Sequence, residues 1–94
     1  MTALFALWAL YGLLPAIVCM TFSNPEQMCT IAYKESRFQP VSNGNHIGWW
    51  QIDEAHLARL GLGGYNLYNP FTNAAVAKEL ARERPDLSDW ESTR

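Results

Sequence analysis

Residues 1–22 contain no charged side chain, and all seven Lys and Arg and all nine Asp and Glu of the chain lie beyond them. Within that segment, positions 3–20 form an apolar stretch of Ala, Leu, Phe, Trp, Tyr, Ile and Val, with Gly12 and Pro15 inside it. As one helix it would reach ~27 Å, close to the thickness of a hydrocarbon core. This predicts a single N-terminal transmembrane helix, with residues 1–22 as a membrane anchor. A cleaved signal segment is the competing reading, but the basic n-region and the small-residue cleavage site are missing. A buried core helix is the third. Few basic residues lie near either end, so orientation is left open.

The segment inflates the hydrophobic fraction of 49%, and residues 23–94 have the composition of one small soluble domain. Its core is marginal at that size. A net charge of −2 with no basic arm or helix excludes a nucleic-acid partner. Cys19 and Cys29 flank the junction. A bridge between them needs the chain to fold back until their α-carbons come within ~7 Å, so both are expected to act as small buried hydrophobes. Cys and His are too few, at the wrong spacing, for a metal site, and no cofactor is implied.

After the junction, Ser23 with Glu26 fits a capping box, while Asn24 with Pro25 fits an N-cap followed by proline at the first helical position. The helix is expected to run to about Arg37, ahead of Pro40. At 100° per residue, Met28, Ile31, Ala32 and Glu35 share one stripe, so Glu35 is a carboxyl group on an otherwise apolar face. Burial there raises a carboxyl pKa toward neutrality and makes it a proton donor. Asn43-Gly44 predicts a small β-hairpin between 38–41 and 46–52. Asp53 is an N-cap for a helix over 54–60, closed by Gly61, Gly63 and Gly64. Asn69-Pro70 opens a last helix, with Asn73, Val76, Ala77 and Leu80 on its buried stripe, and Pro85 ends it. The fold class is therefore mainly α (α+β), with one small β element.

These residues carry a resemblance. Glu35-Ser36-Arg37-Phe38-Gln39-Pro40, Gly48-Trp49-Trp50-Gln51-Ile52, Leu67-Tyr68-Asn69-Pro70 with Asn73, and Trp90 stand in the order and approximate spacing of the soluble lytic transglycosylase family. From Cys29 to Trp90 the chain resembles a compact lysozyme-like domain of that type. The resemblance implies cleavage of the β-1,4 bond between N-acetylmuramic acid and N-acetylglucosamine in peptidoglycan, as in bacterial or bacteriophage enzymes. It assigns the catalytic acid/base to Glu35, without an obvious second acid. The attacking group is either the muramoyl O6 hydroxyl or a water.

The substrate-binding candidates are Ser36, Gly48, Trp50, Gln51 and Asn73, each with a structural alternative. Ser36 supports the acid or closes the helix. Gly48 allows close approach of the chain. Gln51 offers a donor and an acceptor to a sugar amide or is a buried structural amide. Trp49 and Trp50 face opposite ways if extended, one toward the core and one toward the cleft. Asn73 contacts sugar or pins a loop and must be satisfied either way. Asp53 or Glu54 is the alternative second carboxylate, with capping favoured for Asp53. Tyr65, Tyr68 and Phe71 are expected to pack, His56 to be structural and His46 to lie on a loop surface. Leu87 replaces a tryptophan that related domains often carry, so one wall of the groove is expected to be either missing or completed by a neighbouring subunit. The expected setting is a bacterial envelope or a virion membrane, anchored through residues 3–20, or secretion if the N-terminus is cleaved. A non-catalytic glycan-binding or structural subunit is the alternative function.

Overall fold

The computed structural model describes residues 2–90, and among them the chain forms five helices and a three-stranded sheet. The apolar N-terminus is not one long helix. It divides at Gly12 into α1 (Thr2–Tyr11) and α2 (Leu13–Cys19). Gly12 has φ 103° and ψ 169°, a backbone state available only to glycine. Pro15 falls in the first turn of α2, where a missing N–H breaks no helical bond. No helix among the described residues is long and apolar enough to cross a membrane. The expected transmembrane span is thus corrected to a bent pair of short helices. Leu7, Ala16, Val18 and Cys19 join Ile31, Trp50, Val76 and Leu80 in one buried cluster, so residues on both sides of position 22 contribute to a single core. The other side of the pair leaves Phe5, Trp8, Leu10, Leu13, Leu14 and Ile17 exposed.

The cysteines are also corrected. Cys19 and Cys29 are joined in a disulfide, with α-carbons 5.7 Å apart. The fold-back that such a bridge requires comes from a turn in which Thr21 N–H donates to Val18 O at 3.2 Å and Phe22 N–H to Cys19 O at 3.0 Å. Local turn bonds, which carry little sequence signal, decide the pairing. The bridge ties α2 to α3 (Pro25–Ser36).

Helix α3 begins on the Asn24-Pro25 alternative, with Asn24 at the N-cap and Pro25 first in the helix. Its buried residues include Met28, Ile31 and Ala32, as the stripe predicts. The helix stops at Ser36 because Arg37 and Phe38 both take left-handed backbone, at φ 54° and 57°. Two consecutive non-glycine residues there cost on the order of 1–2 kcal/mol each. Aromatic packing holds them: the Phe38 ring lies 5.2 Å from Tyr11 and 5.1 Å from Trp49, centre to centre. The end of α1 thus braces the turn that follows Glu35.

The hairpin forms one residue later than the Asn43-Gly44 signal predicts. Strand β1 (Ser42–Asn43) pairs antiparallel with β2 (His46–Ile47), so Gly44 and Asn45 make the turn, with Gly44 at φ 63°. A third strand, β3 (Ile52–Asp53), pairs with β2, matching Ile47 to Ile52. Two residues are too few to show alternation, which hides this strand from the sequence. Helix α4 (Ala55–Arg59) starts as expected, with Asp53 Oδ1 accepting from Ala55 N–H at 3.0 Å. Helix α5 (Pro70–Glu83) is capped by Asn69, whose side chain accepts from Phe71 and Thr72 N–H. It buries Asn73, Val76, Ala77 and Leu80. Arg59 on α4 meets Glu83 on α5 at 2.9 Å, and that hydrogen bond holds the Glu83 carboxyl below the usual carboxylate range. The pair's small contribution is therefore present above the ordinary carboxylate value and fades as the pH falls through the lowered one.

The disulfide gives the first expected outcome. Chain-entropy arguments for a loop of this length, with a sequence separation of 10, predict about 2–3 kcal/mol of stabilisation. Urea unfolding with and without a reductant measures it. An unchanged midpoint on reduction would show that α2 is held by packing alone.

Candidate functional site

The segment 48–51 organises the site. Gly48 has φ 81°, and a Cβ there would run into the Asn73 amide and the Leu67 carbonyl, so the position admits only glycine. Asn73, at the first inward position of α5, is 0% exposed. Its Oδ1 accepts from Trp50 N–H at 2.8 Å, and its Nδ2 donates to Ile47 O at 2.8 Å and Leu67 O at 2.9 Å. One side chain thereby fixes the sheet, the 67–69 loop and the Trp50 backbone to a single helix. Gln51 follows at φ 48°, held by its own Nε2 donating to Val41 O and Gly48 O at 3.0 and 2.9 Å.

Glu35 lies on the last turn of α3 and is half-buried. Burial of its stripe therefore gives way to a cleft at this position. The cleft, about 380 Å³, is lined by Glu35, Asn43, His46, Gln51, Ser88, Asp89 and Trp90. A larger, more apolar groove of about 490 Å³ lies elsewhere, between Phe22, Lys78, Arg82 and Leu87. It contains none of the site residues predicted from the sequence.

The substrate-binding candidates divide into two groups. Gln51 shares the cleft with Glu35. Gly48, Trp50 and Asn73 are buried, and Trp50 is 0% exposed with its indole N–H donating to Met28 O at 3.0 Å. These three take the structural alternative in this fold and support the cleft wall. Trp49 is buried as well, against Phe38 and Trp50, because the segment is a turn and does not alternate faces as a strand would. The Ser36 hydroxyl lies 2.8 Å from Trp49 O and 3.2 Å from Ala32 O, so it fastens the end of α3 to that turn. Tyr65, Tyr68 and Phe71, expected to pack, are exposed. Leu87 is buried at φ 61° and lines the larger groove. Sequence reasoning missed Asn43, Ser88 and Asp89 and treated His46 as plain loop surface. All four are polar residues in loops or at the ends of two-residue strands, where no periodicity marks them.

Comparison with known families closes the description of the site. A family model described as Transglycosylase SLT domain matches residues 16–86, and the chain belongs to that family. No curated protein and no solved structure matches it.

Asn73→Leu removes all three hydrogen bonds while keeping the volume, leaving Trp50 N–H and two carbonyls buried without a partner. The expected cost is about 2–4 kcal/mol in urea unfolding. A loss below that range would show that the cleft wall stands without its amide.

Proposed function

We propose that this member of the transglycosylase SLT family cleaves peptidoglycan at the bond between N-acetylmuramic acid and N-acetylglucosamine, with Glu35 as general acid and then general base. The observation that carries the reading is the position of Glu35. The only acid of the helix's last turn opens into a polar cleft, beside Gln51 and His46. The Glu35 carboxyl protonates the glycosidic oxygen as positive charge develops at the anomeric carbon. The resulting carboxylate is then available to accept a proton from the attacking hydroxyl. Ser36, Trp49 and the Arg37–Phe38 turn keep the last turn of α3 from moving during this cycle, which is the positioning that such chemistry needs. Gln51 has its Nε2 committed to Val41 O and Gly48 O and offers its Oε1 as an acceptor for the N–H of an N-acetyl group.

The setting follows the same reading. A disulfide persists in an oxidising compartment, and a wall-cleaving activity belongs outside the cytoplasm. The exposed row from Phe5 to Ile17 is uncharged and suits contact with a lipid surface in place of a span across it. Flotation with phospholipid vesicles checks this. Leu10→Asp combined with Leu14→Asp, both at exposed positions, is expected to release the chain from them.

Glu35→Gln is close to isosteric and tests the chemistry. Release of soluble muropeptides from purified sacculi should fall by about 10²–10⁴-fold, with an unchanged thermal melt. Wild-type rates from the Gln variant would sink the assignment. Glycan binding by the unaltered chain with no product at all would make it a binding module.

A further inference from the structure

The segment that leads into α5 displays three aromatic rings that neither the core nor the cleft uses. Tyr65, Tyr68 and Phe71 are 53%, 45% and 50% exposed. None of them lines the cleft, and none stacks on another aromatic ring among the described residues. Three exposed rings in one short segment exceed the scatter of single apolar residues that any surface carries. The backbone beneath them is fixed. Tyr65 N–H donates to Leu62 O at 3.0 Å, Tyr68 N–H to Asn66 Oδ1 at 3.0 Å and Phe71 N–H to Asn69 Oδ1 at 2.9 Å. Leu67, between the two tyrosines in sequence, is buried, and its carbonyl accepts from Asn73. A ligand can therefore bind the rings without first ordering the chain that carries them.

Composition indicates the kind of ligand. Residues 60–77 contain no Asp, Glu, Lys or Arg, and neither do residues 38–52. The two stretches meet where Asn73 Nδ2 donates to both Ile47 O and Leu67 O. Asn66 and Asn69, beside the rings, are exposed, and their Oδ1 atoms are taken by backbone N–H groups. That leaves each Nδ2 as a donor for an outside acceptor. Gly63 and Gly64 precede Tyr65 without positive φ, and a Cβ at either would meet nothing within 4 Å. The fold does not demand glycine there, and the missing side chains leave the surface open. In the hollow of about 430 Å³ that Gly63 borders, the charged residues are both acids, Asp53 and Glu54. An anionic headgroup is repelled there, whereas a neutral sugar is not. Rings and amides without charge suit a pyranose, whose polarised C–H face lies against the negative face of an aromatic ring. Its N-acetyl and hydroxyl oxygens accept from amide N–H groups.

We propose that the segment from Tyr65 to Phe71 is a second glycan-binding site, outside the cleft, which holds a strand of N-acetylated sugars by stacking on Tyr65, Tyr68 and Phe71. The inference takes its ligand from the reading of peptidoglycan as the substrate and is independent of the role of Glu35. No bond is made or broken at this site. A strand held there by one stretch presents its remaining bonds to the cleft at a raised local concentration. The Asn73 amide that positions the cleft wall also anchors Leu67 within this segment, so one side chain supports both sites.

The test measures cosedimentation of the Glu35→Gln chain, in the cold, with purified sacculi and with glycan strands stripped of their stem peptides by an amidase. Adding Tyr65→Ala, Tyr68→Ala and Phe71→Ala together should weaken binding to both by about 10-fold or more. The thermal melt should not change, because all three rings are exposed. Tyr65→Phe with Tyr68→Phe keeps the ring faces and should bind as the parent does. Unchanged sacculus binding in the triple alanine variant would overturn the inference. Binding by the parent that disappears once the stem peptides are removed would do the same, since the ligand would then be peptide. A triple alanine variant that keeps its hold on sacculi but no longer floats with phosphatidylcholine–phosphatidylglycerol vesicles would make the segment a lipid contact instead. Muropeptide release by Glu35→Gln would remove the catalytic assignment alone, because the comparison of binding does not depend on it.

Discussion

The Asn73 carboxamide is the interaction on which the rest of the site depends. It is fully buried, and its hydrogen bonds reach three separate stretches of chain. A buried amide is costly unless satisfied, and once satisfied it accepts little alternative geometry. The strict fit at Gly48 is the other half of the same arrangement, since the amide occupies the space that a side chain would take. With Trp50 N–H held there, the Trp49 and Trp50 carbonyls accept from Ser36 and Trp90. Helix α5 therefore governs both sides of a cleft to which it contributes no lining residue.

The N-terminal segment has an analogous, indirect role. Tyr11 lies 5.6 Å from Tyr33 and 5.2 Å from Phe38, ring centre to ring centre. This aromatic group stabilises the left-handed Arg37–Phe38 turn, and so the orientation of the helix end that bears Glu35. Leu7 and Val18 complete the core beneath it. A segment whose composition suggested a lipid environment is, on one of its sides, part of the structural support of a polar site.

The sequence made some of this legible for identifiable reasons. Proline at the first helical position and an asparagine cap marked the starts of α3 and α5, and a period near 3.6 marked their buried sides, Asn73 included. Glu35 stood out because it broke that period. The break at Gly12 was less visible, because an uninterrupted apolar run looks the same whether it crosses lipid or bends back over a core. The disulfide depends on a turn held by two backbone bonds. Strand β3 and Asp89 carry no periodic signal at all, and Asp89 gains significance only when the segment after α5 is laid beside Gln51 and His46. Local chemistry was readable; juxtaposition across the fold was not.

The spacing of these ties along the chain bears on when the cleft comes into existence. The bridge between Cys19 and Cys29 and the packing of α1, α2 and α3 join neighbours in sequence. The bonds that form the cleft span 13, 23 and 40 residues, through Ser36, Asn73 and Trp90. Contacts of high sequence separation close late, after local ones have formed. The cleft is therefore a property of the completed fold, and a nascent or partly opened chain, even with its helices formed, has no assembled cleft.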